Sequence, residues 1–161
     1  MKTDMTKRGF LAGSLTALGG LLVGCGTSEA KESFEITKSE AEWRRILPPE
    51  RFAVLRKQDT EAPRSSPLNA EKRRGLYGCA GCGLPLYRSE TKFESGTGWP
   101  SFYAPIASAV RTRPDGFGPF KRTEVHCRRC GGHLGHVFDD GPPPTGKRYC
   151  MNGAAMIFRA A

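Results

Sequence analysis

Hydrophobic and polar positions follow three different rhythms along this chain, and each predicts a different kind of segment. From Phe10 to Val23 the run is apolar and uncharged, and Lys2, Lys7 and Arg8 precede it. Such a run is short for a membrane span but suits the apolar stretch of an export signal. In the full-length chain it is expected as a helix over residues 10–23, detached from the folded domain. Ser39-Glu40-Ala41-Glu42 has capping-box spacing, and Trp43, Ile46 and Leu47 can share one helix face. Pro48-Pro49 stops that helix, and Pro49 opens a second, Glu50 to Lys57, with Phe52 and Leu55 inward. Asp59 to Leu68 is polar with two prolines and reads as loop, and Ala70 to Arg74 reads as a short helical turn ended by Gly75.

Beyond Leu76 the rhythm shortens towards alternation. Gly and Pro recur every few residues, and the runs between them predict short, half-buried strands. The candidates are Leu76–Tyr77, Pro85–Arg88, Ala107–Arg113, Thr123–Cys127, His136–Phe138 and Ala154–Arg159. The expected fold is one α+β domain, mainly β, with short N-terminal helices before a mostly antiparallel body.

Composition narrows this picture. The 161 residues allow one domain of ordinary size, and 38% hydrophobic residues suffice for a core, which excludes a wholly disordered chain. Twenty Gly and twelve Pro, about a fifth of the chain, disfavour a helical bundle. Six Cys are too few for a disulfide-dense miniprotein. The single long apolar stretch excludes a polytopic membrane protein.

The N-terminus reads as an address. Thr6-Lys7-Arg8-Gly9-Phe10-Leu11 resembles a twin-arginine export signal with Lys for the first Arg, and general secretion stays open as the route. Leu22-Val23-Gly24-Cys25 resembles a bacterial lipobox, in which Cys25 is acylated and becomes the first residue. The expected organisation is therefore an export signal at 1–24, the lipidated Cys25 and a tether at 25–38, and the folded domain at 39–161. Losing three basic residues and one acidic residue with the signal takes the net charge from +9 to +7. That charge suits nucleic acid, anionic lipid or a merely solvated surface. No nucleic-acid partner is expected, because the basic residues are spread along the chain without a stripe interleaved with aromatics.

Cysteine spacing carries the chemistry. Cys79-Ala80-Gly81-Cys82 and Cys127-Arg128-Arg129-Cys130 are two Cys-x-x-Cys knuckles, each followed by Gly (Gly83 and Gly131). Two such knuckles build the four-thiolate tetrahedron of a structural zinc, with iron or two disulfides as the alternatives. Cys150 is then left over, either a dimer bridge, an inert buried thiol or a reactive one. Arg148, two residues before it, and His133 and His136 upstream are cationic neighbours of the kind that favour a thiolate. His133 and His136 read as acid/base groups beside Cys150, against core histidines or a second metal site with Asp139 and Asp140. Trp99, on the Gly-rich turn Gly96-Thr97-Gly98, is either core or an aromatic wall for an apolar ligand group.

Together these stretches resemble the methionine-R-sulfoxide reductases, the B-type peptide-methionine (R)-S-oxide reductases. The matching motifs are Cys79–Cys82, Ser95-Gly96-Thr97-Gly98-Trp99-Pro100-Ser101-Phe102, the run from Cys127 to Phe138, and Arg148-Tyr149-Cys150-Met151-Asn152. The resemblance spans about Ser39 to Phe158. It implies two antiparallel sheets with flanking helices and one structural zinc on Cys79, Cys82, Cys127 and Cys130, away from the active site. It also implies Cys150 as nucleophile, with His133, His136, Asp140, Arg148 and Asn152 around the sulfoxide and Trp99 receiving the substrate methyl group. The implied substrates are oxidised proteins or peptides and the implied reductant an external thioredoxin-like protein or small thiol, while the lipobox-like segment at Leu22–Cys25 adds membrane contact through a lipid anchor on the exported side. Two positions depart from the pattern. Thr97 stands where many members carry a resolving Cys, and Gly153 where Ser often follows Asn. A nucleic-acid-binding zinc ribbon and a Cys-x-x-Cys thiol-disulfide oxidoreductase are the competing classes.

Overall fold

The computed structural model describes residues 32–116 and 118–161. The export signal, its expected helix at 10–23 and Cys25 lie outside the described residues. Among the described residues no helix is long and apolar enough to cross a membrane.

Two helices come first. In α1 (Glu40–Ile46) the capping box forms as the spacing predicts, with Glu42 N donating to Ser39 Oγ and Ser39 N donating to Glu42 Oε2 at 2.8 Å. Glu40 and Glu42 in its first turn and Arg44 and Arg45 in its last complement the helix dipole. Helix α2 (Pro49–Lys57) starts on proline and ends at Gln58 in a left-handed conformation. Trp43, Leu47, Phe52, Val54 and Leu55 are buried. Ile46, expected inward beside Trp43, is instead 54% exposed. Leu47 has already left the helix in an extended conformation and takes the core position in its place.

The strands form two antiparallel sheets, as expected. The smaller has the order β2 (Pro85–Arg88), β1 (Gly75–Cys79), β9 (Met156–Ala160). The larger runs β3 (Lys92–Phe93), β4 (Ser101–Phe102), β8 (Arg148–Met151), β7 (His133–Phe138), β6 (Arg122–Cys127), β5 (Val110–Asp115). The sheets meet through aromatic side chains. Phe102 of β4 stacks on Tyr87 of β2 at 4.3 Å between ring centroids and takes Tyr77 of β1 edge-on at 4.9 Å. Such contacts add to what the buried area alone contributes. The Tyr87 hydroxyl donates to Met151 Sδ at 3.1 Å, giving a fully buried polar group its partner.

The helical turn expected at Ala70–Arg74 lies instead at Pro67–Asn69, where Ser66 caps it by accepting from Leu68 N. Residues 32–36, expected as tether, lie against the second cysteine knuckle: Ile36 N donates to Arg129 O at 3.0 Å, and Phe34 packs edge-on to His126.

Candidate active site and metal centre

Each cysteine knuckle sits at the end of a strand. Cys79 ends β1 in the small sheet and Cys127 ends β6 in the large one. Both turns close alike, with Gly83 N donating to Cys79 O at 2.7 Å and Gly131 N to Cys127 O at 2.9 Å. Both glycines are left-handed, at φ 74° and 66°, where a side chain would be strained. The four sulfurs converge to within 4.8 Å of one another, with Cys79 and Cys130 3.7 Å apart and Cys82 and Cys127 3.5 Å apart. A tetrahedron with metal–sulfur bonds of about 2.3 Å has edges of about 3.8 Å, so the cradle has the size such an ion needs. All four cysteines are free thiols, which sets aside the two-disulfide alternative. Their mutual hydrogen bonding drives Cys79 and Cys130 up and Cys82 and Cys127 down. Four thiols crowded together, three of them buried and Cys82 partly so, resist joint ionisation without a cation, and the donor set fits a structural metal. The ion would pin the small sheet to the large one.

The second site forms where β7 and β8 pair. Cys150 on β8 is in register with His136 on β7 and with Ser101 on β4, so its neighbours on either side are fixed by the sheet. Gly135 allows the close approach: it has φ 153°, and a Cβ there would lie 2.2 Å from Cys150 O. A cavity of about 140 Å³ opens beside the thiol, lined by Trp99, Gly135, His136, Phe138, Cys150 and Asn152, with Thr60 and Arg122 completing it. Trp99 is half-buried, with its ring at the cavity and its Nε1 donating to Glu61 O at 3.1 Å. It is a wall rather than core. Thr97 Oγ1 lies 3.7 Å from Cys150 Sγ and bonds Ser95 Oγ, which bonds Ser101 Oγ.

The two histidines differ. His136 lines the cavity, and its Nε2 is 2.6 Å from Asp115 Oδ2. Burial pushes its imidazole below the ordinary histidine value, against the Asp115 bond, which raises it. Asp115 is held below the usual carboxylate range by that same bond, and Arg122 pairs with it at 3.0 Å. His133 is buried behind, outside the cavity lining, with Nδ1 2.8 Å from Glu124 Oε1 and its ring 5.4 Å from that of His136. Burial alone would raise the Glu124 carboxyl, but hydrogen bonds from His133 and Arg113 bring it down to about 2.

Arg148 is electrostatically coupled to Cys150 and is gripped by Asp140, with Nε and Nη2 donating to its two oxygens at 2.8 Å each. Asp140 is itself exposed and does not line the cavity, so it reaches the site only through Arg148. Asn152 is buried, donates from Nδ2 to Leu134 O at 3.2 Å and accepts at Oδ1 from Glu61 N at 3.1 Å. The Gly153 departure has a packing reason: a Cβ there would meet Ser66 Oγ at 1.9 Å. Asp115, Arg122, Glu124 and Glu61 were not singled out by the sequence.

A histidine with a carboxylate behind it, a thiol beside a cation and an aromatic wall around one small cavity suit thiol attack on a small polar group held by its apolar end. Residues 47–160 match the SelR domain family. The chain is 54% identical over 125 residues to the peptide methionine sulfoxide reductase MsrB of Methanosarcina barkeri, covering 77% of this chain and 88% of that one. It is 50% identical to the Agrobacterium fabrum MsrB over 77% of this chain and 93% of that one, and 51% identical to a Pseudomonas putida MsrB over 78% and 96%. With four motifs, two sheets and a thiol cavity in agreement, the chain belongs to the peptide methionine sulfoxide reductase MsrB family.

Proposed function

We propose that this chain reduces methionine-R-sulfoxide in peptides by a thiol reaction at Cys150. The observation that carries the reading is the cavity in which Cys150, His136 and Trp99 share one wall-to-wall space of about 140 Å³. A sulfoxide sulfur becomes electrophilic when its oxygen is protonated. The Cys150 thiolate attacks that sulfur while His136 gives the oxygen a proton. With Nε2 engaged by Asp115, Nδ1 of the imidazolium is the nitrogen left to serve the substrate, and Asp115 is the counter-charge that favours that form.

In the adduct so formed the hydroxyl passes from the substrate sulfur to Cys150 as the new sulfur–sulfur bond breaks, so the oxygen ends on Cys150 as a sulfenic acid and the methionine thioether leaves. The cysteine sulfur is oxidised by two electrons and the substrate sulfur reduced by two. One external thiol then displaces the hydroxyl as water to give a mixed disulfide, and a second thiol releases Cys150 with formation of the reductant's disulfide. Arg148 sets a positive charge beside Cys150, and Asn152 and Trp99 fix the substrate. Only one sulfoxide epimer places its methyl on Trp99 and its oxygen at His136 together, which gives R-selectivity.

We read the metal as zinc, held by Cys79, Cys82, Cys127 and Cys130, with a structural part only. The N-terminal signal supports export and anchoring through a lipid on Cys25, with oxidised exported proteins as substrates. In that case Cys25→Ala leaves an uncleaved precursor or moves the protein to the soluble fraction, seen by fractionation and N-terminal mass. A mature N-terminus elsewhere, without lipid mass, overturns the anchoring.

The functional test is chiral. Incubation of the domain with both epimers of a methionine sulfoxide peptide and dithiothreitol is expected to consume the R-epimer alone, and Cys150→Ser to stop it. Consumption of the S-epimer, or turnover by Cys150→Ser, overturns the reading.

A further inference from the structure

Glu61 lies on the loop after α2, outside every motif that carries the cysteines and histidines. It is 6% exposed, and each of its polar groups is engaged by a part of the active site. Its N–H donates to Asn152 Oδ1 at 3.1 Å, and its carbonyl accepts from Trp99 Nε1 at 3.1 Å. Its carboxylate oxygens accept from Gly153 N and Ala154 N, both at 2.7 Å. The groups that act on its charge are those two backbone donors and Glu50, not a cation, and burial pushes the carboxyl up. Burying a carboxylate without a countercharge is costly, and mere packing would be served as well by an apolar side chain. Its carboxylate fastens the residue to the turn after β8, while its main-chain carbonyl holds the Trp99 ring, so Glu61 as a whole joins two segments remote in sequence.

We propose that Glu61 is a positioning residue for sulfoxide binding: it clamps the Trp99 wall to the Asn152–Ala154 turn and so sets the width of the cavity between them. The proposal rests on the functional reading above, in which Trp99 and Asn152 hold the substrate. Glu61 touches neither the substrate nor Cys150, and it acts through the two walls. A misplacement on the order of 1 Å in such walls is enough to cost up to about 100-fold in rate.

Glu61→Gln tests this. The amide keeps the shape and one acceptor oxygen but sets an NH₂ group against the second backbone donor. The expected result is a fall of about 10- to 100-fold in kcat/KM for the R-sulfoxide peptide. Alkylation of Cys150 by iodoacetamide, followed by peptide mass, should stay within about twofold of the parent, because a small reagent needs neither wall. Acrylamide quenching of Trp99 should rise at the same time. Glu61→Ala should lie below Glu61→Gln in kcat/KM. If the alanine variant fails to fold, the glutamine variant decides alone. Unchanged kcat/KM in Glu61→Gln overturns the proposal, as does a loss of activity matched by an equal loss of folded protein or an equal change in alkylation. Should the parent leave the R-epimer untouched, the functional reading fails, and the quenching comparison still decides the clamp.

Discussion

At the scale of single residues, His136 is balanced between opposing influences. Burial and the nearby Arg122 charge lower its affinity for a proton, and Asp115 raises it. If the imidazolium is the acid, kcat/KM falls on the alkaline side as His136 loses its proton, around a midpoint below the ordinary histidine value of about 6.5. Asp115→Asn removes the raising influence and leaves Arg122 unopposed, so the alkaline limb should move to still lower pH. A pH profile of kcat/KM for the two proteins measures this. A limb that stays in place assigns the proton to another group, His133 first. Asp115 was not legible in the sequence, because it sits 21 residues from His136 and meets it only through the pairing of β5, β6 and β7. Cys150, His136 and Trp99 were legible, because each is an unusual residue type inside a dense motif. Glu61 and Glu124 were obscured because acidic residues usually mark a solvated surface, and here two are buried.

At the scale of elements, the helices were legible to within a residue, since capping boxes and prolines act locally. Strands β3 and β4 have two residues each and carry no period to read. They are strands because β8 supplies a neighbour. The segment 32–36 shows the same dependence on context. Its sequence is small and polar enough for a tether, yet Glu32 pairs with Arg111, Glu35 with Arg128, and Phe34 covers Gly131, where a Cβ would lie 2.5 Å from the ring. This strap braces the knuckle that bears Cys127 and Cys130. Phe34→Ala should destabilise the domain by about 1–3 kcal/mol and speed loss of metal to a chelator, because at a structural site metal binding and folding share one free energy. The kcat/KM of the metal-loaded protein should stay at the parent value, since the strap touches no residue of the cavity. Melting temperature and chelator kinetics check the first part. A variant with parental stability and metal retention would reduce the strap to a surface contact.

At the scale of the whole molecule, the two cysteine sites are separated by the sheet that connects them. Cys127 lies three residues along β6 from Glu124, whose partner His136 is in turn in register with Cys150. That is about 10 Å of strand, and the metal cradle and the cavity share no residue. The cradle's thiols are also the pin between the sheets, so using one of them for redox work would loosen the fold. Close to Cys150 the neighbour is Thr97, 3.7 Å from the sulfur, at the place where the family resemblance expects a resolving cysteine. A hydroxyl there accepts or donates a hydrogen bond and cannot form a disulfide. Among the described residues no second thiol is in reach, so the proposed mechanism predicts recycling from outside the domain. One equivalent of R-sulfoxide without reductant should leave Cys150 as a sulfenic acid that dimedone traps, one label per chain by mass, with no intramolecular disulfide. A small thiol added before dimedone should prevent the label and restore turnover. A disulfide between Cys150 and any of Cys79, Cys82, Cys127 or Cys130 in active, metal-loaded protein would overturn this, and would mean that the pin between the sheets opens during each cycle.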